Sequence, residues 1–322
     1  MRLRSLVIVC AAWLAACSCL AGTAGASEPF ADFNVSFVSL QVNKAGEALV
    51  TYRRADGKPR RVLVWGAVDA LQPVKGVPQV HFLYDYAGGW RKYRSGSYWK
   101  RFKNGCKPYD GPQLTFFVAA CKAADGTYWA LQAWQRNLPH RGFAPWLPMQ
   151  TAFDLRISHW SGELAQLEVH TDWAFGSAAD LFGRLTFGGQ PVYGFGTTRN
   201  GMPTDGYGRS LYIDTLDSAY GPGWKRETSI VFRNPSGIFC YSFWPTRDNS
   251  LPGYPDNMRP AGTGSRHRIT VPGPGVTPDI VWEGDWLGPF DPHNQAQVAH
   301  EREMNALLDQ LAAGDKFCPT QH

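Results

Sequence analysis

Residues 48–68, ALVTYRRADGKPRRVLVWGAV, decide the predicted fold. Two runs rich in β-branched and aromatic residues flank the pair Asp56-Gly57, a combination typical of a tight turn between antiparallel strands. Residues 113–135, QLTFFVAACKAADGTYWALQAWQ, repeat the arrangement around Asp125-Gly126. Residues of these types favour a pleated, half-buried sheet. Both segments therefore predict β-hairpins.

Further strands follow along the chain. Residues 185–195, LTFGGQPVYGF, turn at Gly188-Gly189, and residues 228–244, TSIVFRNPSGIFCYSFW, turn at NPSG. RHRITVPG and DIVWEGDW predict two more strands. We therefore predict an all-β protein built from antiparallel sandwich-type sheets, as one large unit or two, with a single C-terminal α-helix.

The predicted helix lies in residues 290–318, FDPHNQAQVAHEREMNALLDQLAAGDKFC. Asp291 is the expected N-cap with Pro292 at the first helical position, and Gly314 is the expected stop. One apolar stripe is formed by Met304, Leu307, Leu308 and Leu311. A terminal helix that docks on the sheets is the expected role.

Residues 1–26 predict a secretory signal peptide. A basic start is followed by an apolar run and then by Ala24-Gly25-Ala26, which predicts cleavage before Ser27. The apolar run is shorter than the about 20 residues of a membrane span, so no span is expected. Leu14-Ala15-Ala16-Cys17 is the alternative, a lipobox that would anchor a lipoprotein at Cys17. A secreted or extracytoplasmic location is expected in either case.

Four cysteines follow the leader, an even number in a chain predicted to be exported. Two disulfides are the expectation, although four cysteines permit three pairings. We favour Cys106–Cys121, which closes a short local loop, and Cys240–Cys318, which ties down the tail.

The charge is divided unevenly along the chain. Residues 44–107 hold 14 Lys/Arg and 4 Asp/Glu, a net charge of +10, whereas the whole chain carries only +5. The Pro-containing segment NLPHRGFAPWLP, residues 137–148, is a candidate boundary. We predict a basic β domain at 27–140, an acidic β domain at 149–290, and a C-terminal helix and tail at 291–322; a single sandwich is the alternative.

The stretch WRKYRSGSYWKRFKNGCK, residues 90–107, interleaves seven Lys/Arg with aromatic residues and contains no acid. Cations beside stacking rings suit an anionic polymer. The candidate residues for binding a polyanion are Trp90, Arg91, Lys92, Arg94, Trp99, Lys100 and Arg101. The alternative is a solvated edge strand that its cations protect from pairing with another sheet.

The stretch LEVHTDW, residues 167–173, places Glu168, His170 and Asp172 at alternate positions of a strand. A hairpin with residues 153–160 and Gly162 in the left-handed position would put Arg156 beside them on one face. That face predicts a ligand site, and the alternative is the solvated side of a sheet.

The glycine-rich stretch 195–227 supplies the other candidates, Tyr207, Arg209, Asp214 and Trp224. Aromatic, acidic and arginine side chains on loops are typical of a sugar-binding cleft, and a structural loop is the alternative. The chain has no Gly-x-Ser-x-Gly, His-Glu-x-x-His or phosphate-loop motif, so no metal site and no cofactor are expected.

Four strings, VLVWGAVDA, SYWK, PYDGPQLTFFVAAC and LYIDTLDSAYGPGWKRE, carry a resemblance to an uncharacterised family of secreted bacterial proteins with no assigned activity. The resemblance implies export and carries over no functional residue. The leading hypothesis is a secreted binding protein for an anionic or wall-associated polysaccharide; no nucleic-acid partner is expected. The alternatives are a secreted carbohydrate-active enzyme, a hydrolase or lyase that joins Glu168, His170 and Asp172 to Arg209 and Asp214, and a structural surface protein.

Overall fold

The computed structural model describes residues 27–68, 81–90, 97–135, 152–174, 178–192, 195–197, 203–205, 211–218, 221–227, 237–243 and 264–313. The predicted signal peptide and the Cys17 alternative lie outside these residues. So do the predicted boundary at 137–148 and the stop at Gly314.

The described chain is mostly β-strand, as predicted. Its strands in order are β1 Glu28–Phe33, β2 Ser36–Val42, β3 Ala48–Arg53, β4 Pro59–Trp65, β5 Leu83–Asp85, β6 Phe117–Lys122, β7 Tyr128–Gln135, β8 Phe153–Trp160, β9 Gln166–Ala174, β10 Ala178–Phe187, β11 Gln190–Pro191, β12 Phe195–Thr197, β13 Pro203–Asp205, β14 Tyr212–Ser218, β15 Gly221–Glu227, β16 Ile238–Phe243, β17 Arg266–Val271 and β18 Ile280–Asp285. A single turn of helix, α1, spans Tyr98–Arg101, and the long helix, α2, spans Gln295–Ala312.

The first sandwich is formed by residues up to Trp160. Sheet 1 has the strand order β1-β8-β7-β6, and sheet 2 has the order β2-β3-β4-β5, with every strand pair antiparallel. Their facing sides share one core that contains Val50, Val62, Trp129 and Ile157. The predicted hairpins at Asp56-Gly57 and Asp125-Gly126 are confirmed as β3–β4 and β6–β7.

The second sandwich is formed by sheets 3 and 4. In sheet 3, β10 pairs with β9, β11 and β16, and in sheet 4 the order is β15-β14-β17-β18. Leu181, Leu185, Ile213 and Ile269 meet in its core. The predicted turn at Gly188-Gly189 joins β10 to β11. Strands β12 and β13 form a separate antiparallel ribbon.

Helix α2 packs on the outer side of sheet 3. The predicted stripe is confirmed, because Leu308, Met304, Leu307 and Leu311 contact Phe182 and Ile238. The predicted cap is wrong: Asn294 is the N-cap, and its side chain accepts hydrogen bonds from the backbone N–H groups of Ala296 and Gln297. Asp291 instead accepts from the backbone of His293, which closes a turn before the helix.

The predicted β8–β9 hairpin is also wrong. Strand β8 pairs with β1 and β7 in sheet 1, whereas β9 pairs with β10 in sheet 3. Gly162 does adopt the left-handed conformation, with φ of 76°. The chain nevertheless changes sheets there. Seven of the eight β8 side chains are buried, so both faces of this strand are covered and neither is the solvated face that the predicted hairpin needed. The change of sandwich therefore falls after Trp160, later in the chain than the predicted boundary at 137–148.

Residues 272–279, which connect β17 to β18 of the second sandwich, pack against the first sandwich. All of these residues are buried. Val276 enters the core of the first sandwich, and its carbonyl oxygen accepts a hydrogen bond of 2.9 Å from the backbone of His159. The outer face of sheet 1 consequently lies against the outer face of sheet 4, where Trp134 and Tyr212 meet edge to face with their ring centroids 4.6 Å apart.

The predicted disulfide between Cys106 and Cys121 is present, with Cα atoms 5.5 Å apart. It links the segment after α1 to β6. Cys240 is disulfide-bonded as well. Its predicted partner Cys318 lies outside the described residues, so the Cys240–Cys318 pairing stays a prediction.

Replacement of both Cys106 and Cys121 by alanine is expected to lower the free energy of unfolding by about 3 kcal/mol, because the loop closed by the bond constrains the unfolded chain. The sequence separation is 15 residues. Urea unfolding of the variant and the parent protein under oxidising conditions measures the difference. A change of less than about 0.5 kcal/mol would show that the local contacts, not the cross-link, hold this segment.

Candidate functional site

The outer face of sheet 2 presents polar and basic side chains from three neighbouring strands. Ser39, Thr51 and Arg61 lie side by side in one cross-strand row. Their neighbours along β3, Val50 and Tyr52, point into the core. Because side chains alternate along a strand, Arg53 lies on the same outer face as Thr51. We call this surface, with Phe37, Ser39, Thr51, Arg53, Arg61 and Trp99, the basic-aromatic face.

Each of the two arginines on this face lies against an aromatic ring. The guanidinium of Arg61 lies 3.8 Å from the centre of the Trp99 ring, and that of Arg53 lies 4.7 Å from the centre of the Phe37 ring. Trp99 belongs to helix α1, which therefore lies over the outer face of sheet 2 beside Arg61. The close approach uses Gly88, where an added Cβ would stand 3.3 Å from both Arg61 and Trp99. Such cation–π contacts hold a guanidinium in place while its N–H groups remain available.

Phe37 is unusual in both its exposure and its backbone. Its side chain is 77% exposed, the most of any large hydrophobic residue in the described chain. Its φ of 52° lies in the left-handed region, which a bulky side chain rarely adopts, and it stands where the β2–β3 register shifts between Ser36 and Ser39. Residues with rare backbone conformations of this kind cluster at active and ligand-binding sites.

The spacing of the two arginines follows from strand geometry. Arg61 pairs with Thr51, and Arg53 lies two residues further along β3. With strands about 4.8 Å apart and a rise of about 3.3 Å per residue, the two Cα atoms are about 8 Å apart. Thr51 and Ser39 continue the row of Arg61 across β3 and β2, and they contribute hydroxyl groups to the same face. The arrangement can therefore bind a ligand that carries more than one anionic group.

A second group of cations lies on α1, on the segment that follows it and just after the end of β2. Asn104 holds this segment to the end of β2, because its side chain accepts a 3.2 Å hydrogen bond from the backbone of Val42. The group consists of Lys44, Lys100, Lys103 and Lys107, all exposed. None of these four forms an ion pair with a residue in the described part of the chain. The Lys100 ammonium lies 5.4 Å from the Trp99 ring, on which Arg61 also rests.

The structure places four of the predicted polyanion-binding residues. Trp90 is 56% exposed at the turn after β5. Trp99, Lys100 and Arg101 all belong to α1, and both cations are exposed. Arg91, Lys92 and Arg94 lie outside the described residues. Phe37, Arg53 and Arg61 were not among the predicted site residues. For Arg61, its position next to the apolar Val62 in an alternating strand could have predicted that it faces outward.

Glu168 and His170 do share a face of β9, as predicted. The imidazole Nε2 and a carboxylate oxygen of Glu168 lie 2.8 Å apart. His170 also stacks on Phe182, with ring centroids 5.1 Å apart, next to the side of sheet 3 that α2 covers. Asp172 is on the same strand, but its side chain lies outside the described residues. The pair is thus placed at the border of a helix–sheet contact.

Asp214 lies instead in a buried row of charges that crosses sheet 4. Its direct neighbours in the register are Arg226 on β15 and Arg268 on β17. Arg226 donates to it from Nε at 2.7 Å and from Nη2 at 3.2 Å, and Arg268 donates at 2.9 and 3.1 Å. Trp224 covers the Arg268 guanidinium at 4.4 Å. Both carboxylate oxygens accept hydrogen bonds from arginines, so Asp214 is engaged within the fold and not exposed to a ligand.

Arg156 belongs to the same contact between the sandwiches. Its guanidinium lies 4.2 Å from the Trp134 ring, and Arg226 lies 5.4 Å from that ring. Arg226 also donates a 2.9 Å hydrogen bond to the carbonyl of Gln135. The structure therefore brings Arg156, Asp214 and Trp224 together, but in a buried interface between sheets 1 and 4.

The electrostatics of Asp214 predict an acid-sensitive contribution to stability. Burial raises the pKa of this carboxyl, but the adjacent Arg226 and Arg268 more than offset that effect, so the pKa lies below its ordinary value of 3.8. A lowered folded pKa gives a stabilisation that is present above pH 3.8 and is lost as the pH falls through the folded pKa. Asp214→Asn should therefore flatten the fall in the urea midpoint below about pH 4. An unchanged slope would contradict this assignment.

The predicted joined site is not assembled by these residues. Glu168 lies on the outer side of sheet 3, because its neighbours Leu167 and Val169 pack into the core. Asp214 lies on the outer side of sheet 4, because its neighbour Ile213 packs into the same core. The two carboxylates thus face in opposite directions across two sheets about 10 Å apart. Tyr207 and Arg209 lie outside the described residues.

The comparisons with known proteins are negative: no family model, no curated protein and no solved structure matches the chain. Within the described residues, no helix is both long and apolar enough to cross a membrane. The described residues also contain no cluster of three or more His, Cys, Asp or Glu suited to hold a metal ion.

Proposed function

We propose that the protein is an exported binding protein for an anionic polysaccharide, and that the basic-aromatic face is its binding surface. The observation that carries the proposal is the pair of guanidinium groups, Arg53 and Arg61, each held against an aromatic ring on one outer face. Two such cations on one outer face suit a ligand that carries several acidic groups along its length.

Two further features support this choice of ligand. Phe37, at 77% exposure, offers the flat apolar surface on which a sugar ring can rest. The exposed lysines of the second group supply positive charge without an acidic partner among the described residues, which favours a long polyanion over a small ligand. The net charge of +10 over residues 44–107 acts in the same direction.

Retention on immobilised polygalacturonic acid, with dextran as the neutral control polymer, tests the proposal. The mature protein should be retained on the acidic polymer alone, and the retention should weaken as sodium chloride rises from about 0.05 to 0.5 M, because salt screens exposed charges. Absent retention, or retention that salt does not change, would overturn the proposal.

Single substitutions locate the surface. Arg53→Glu and Lys100→Glu should each lower the affinity for polygalacturonic acid about tenfold, because each removes one attraction and adds one repulsion. Arg302→Glu is the matched control: it makes the same charge change at an exposed position of α2, on the other sandwich. Its effect should stay below about twofold. Equal losses for the three variants would show that only net charge matters.

The aromatic part of the surface has its own test. Phe37→Ala should weaken binding about three- to fivefold through the lost ring contact and the loss of support for Arg53. It should also leave or slightly raise the stability, because an exposed side chain is removed from a strained position. The measurement combines the same retention assay with urea unfolding. A normal affinity for the variant would exclude Phe37 from the binding surface.

The enzyme alternative is tested separately. Release of reducing ends from a panel of acidic and neutral glycans would reveal hydrolase or lyase activity. A structural surface protein would neither bind nor cleave the panel. The Glu168–His170 pair is the acid–base group that the described residues offer to such an activity, and Glu168→Gln is the variant to compare.

Export is part of the proposal. The Cys106–Cys121 disulfide supports an oxidising compartment. We expect cleavage before Ser27, with lipidation at Cys17 as the alternative. Mass analysis and N-terminal sequencing of the exported protein distinguish the two.

A further inference from the structure

Asp279 is a fully buried carboxylate at the contact between the two sandwiches. It ends the connecting segment 272–279, and its side chain accepts hydrogen bonds from the hydroxyl of Ser27, from the indole N–H of Trp134 at 2.7 Å and from the backbone N–H of Gly273 at 3.3 Å. All three donors are neutral. Its backbone is fixed too, because Gln132 both donates to its carbonyl oxygen and accepts from its N–H.

No lysine, arginine or histidine in the described residues forms an ion pair with Asp279. Arg156 is nearby, but its Nη1 donates to the carbonyl of Ser27 at 3.1 Å. A buried charge without a cationic partner is costly for a fold. Burial raises the pKa of Asp279, although Arg156 and the hydrogen bonds from Ser27, Trp134 and Gly273 oppose the shift.

Ser27 is placed to supply the missing cation. It is fully buried, directly before β1, and it is the residue at which the proposed cleavage leaves a new N-terminus. In any serine the backbone nitrogen lies about 3 to 4 Å from its own hydroxyl oxygen. Since that hydroxyl donates to Asp279, the nitrogen lies within a few ångströms of the carboxylate. A carboxylate with three donors has room for one more.

The backbone at Ser27 supports the same conclusion. Its φ of 21° lies in a region that L-residues rarely adopt. Cleavage before Ser27 removes the peptide bond that defines this torsion, so the unfavourable conformation is released while the new ammonium remains beside Asp279.

We propose that Asp279 and its surroundings form a binding site for an α-ammonium group, and that the ligand is the chain's own N-terminus, created by cleavage before Ser27. The inference rests on the cleavage in the proposed function. The pair joins β1 of the first sandwich to the segment 272–279 of the second. Removal of the leader thus completes the contact between the sandwiches, and a chain with even one extra residue lacks the pair.

The test uses residues 27–322 released from a fusion protein by a protease that leaves no extra residue, so the outcome does not depend on natural processing. The comparison is the same chain with one glycine added before Ser27. The chain that begins at Ser27 should melt roughly 5 to 10 °C higher, because the extension displaces a charge from a buried pair. Equal melting temperatures would overturn the proposal.

Asp279→Asn provides the matched background. In this variant the added glycine should change the melting temperature by less than about 2 °C, because the carboxylate that distinguishes the two N-termini is gone. An equal loss with and without the carboxylate would show that the glycine acts by steric disturbance, and would also overturn the proposal. Ser27→Ala keeps the ammonium, so it should retain most of the difference between the chains.

A chemical measurement covers the case in which Asp279→Asn does not fold. A buried α-amine that is paired with a carboxylate should resist an amine-acylating reagent at neutral pH until the protein is unfolded. The chain with the added glycine should react rapidly. Rapid acylation of the folded chain that begins at Ser27 would overturn the proposal. N-terminal sequencing of the exported protein tests the cleavage itself, so the two failures are distinguishable.

Discussion

Asp214→Ala is expected to lower the free energy of unfolding by about 3 to 5 kcal/mol. The carboxylate is fully buried between Arg226 and Arg268, which donate to it through four hydrogen bonds of 2.7 to 3.2 Å. Its removal takes from Arg226 the carboxylate that it contacts at 2.7 Å and, within the described residues, leaves Arg268 with only the 4.0 Å ion pair to Glu283. The cost is large because the arginines, which are almost completely buried, cannot regain their hydration.

An exposed ion pair on the same sheet provides the matched control. Arg266 and Asp285 are neighbours across β17 and β18, and they form an ion pair of 2.9 Å in which the Asp285 side chain is 83% exposed. Asp285→Ala should change the stability by less than about 1 kcal/mol, because water and salt screen an exposed pair. The measurement is the urea midpoint of each variant. Similar effects of the two substitutions would refute the structural role of the Asp214 row.

Gly183→Ala is expected to be the most damaging single-methyl change, at about 3 kcal/mol or more. Gly183 lies in the middle of β10, between Val169 of β9 and Phe239 of β16. An added Cβ would stand 2.0 Å from the backbone oxygen of Glu168 and 2.9 Å from the Phe239 ring. Because both neighbours belong to paired strands, relief would require separation of the sheet or movement of the core.

Gly188→Ala serves as the control for the added methyl group. Gly188 lies in the β10–β11 turn, where no atom stands within 4 Å of the added Cβ. Its φ of 57° makes alanine unfavourable by only about 1 kcal/mol. Thermal unfolding of both variants should therefore show a much larger fall for Gly183→Ala. A larger fall in melting temperature for Gly188→Ala would mean that β9 and β10 do not pair with Gly183 opposite Val169.

The candidate site was predictable only in part. The run of cations and aromatic residues in 90–107 was visible because these residues are adjacent in sequence, and it identified Trp99, Lys100 and Arg101. The other members of the face lie on three different strands: Phe37 on β2, Arg53 on β3 and Arg61 on β4. No local sequence pattern connects these strands to α1. Their association depends on α1 lying over sheet 2, a long-range contact that sequence spacing does not encode.

The polar candidate residues show the same limit of prediction from local sequence patterns. Alternation correctly put Glu168 and His170 on one face of a strand. It also put Arg156 on the outward face of its strand, whereas the glycine-rich stretch 195–227 predicted Asp214 on a loop. The structure places Asp214 on the outward face of β14. Both faces are covered, because the outer sides of sheets 1 and 4 pack against each other. Alternation thus indicates which residues share a face but not what lies opposite that face.

The sequence by itself determined the all-β class, the hairpins at Asp56-Gly57, Asp125-Gly126 and Gly188-Gly189, the stripe of α2 and the local disulfide. Each of these depends on residues close along the chain, where turn preferences and side-chain period act directly. Only the tertiary structure decided that β8 and β9 separate into different sandwiches, and that Asp214 and Asp279 are buried between them. Partner choice among strands is set by which faces can be buried together, and that is a property of the whole chain.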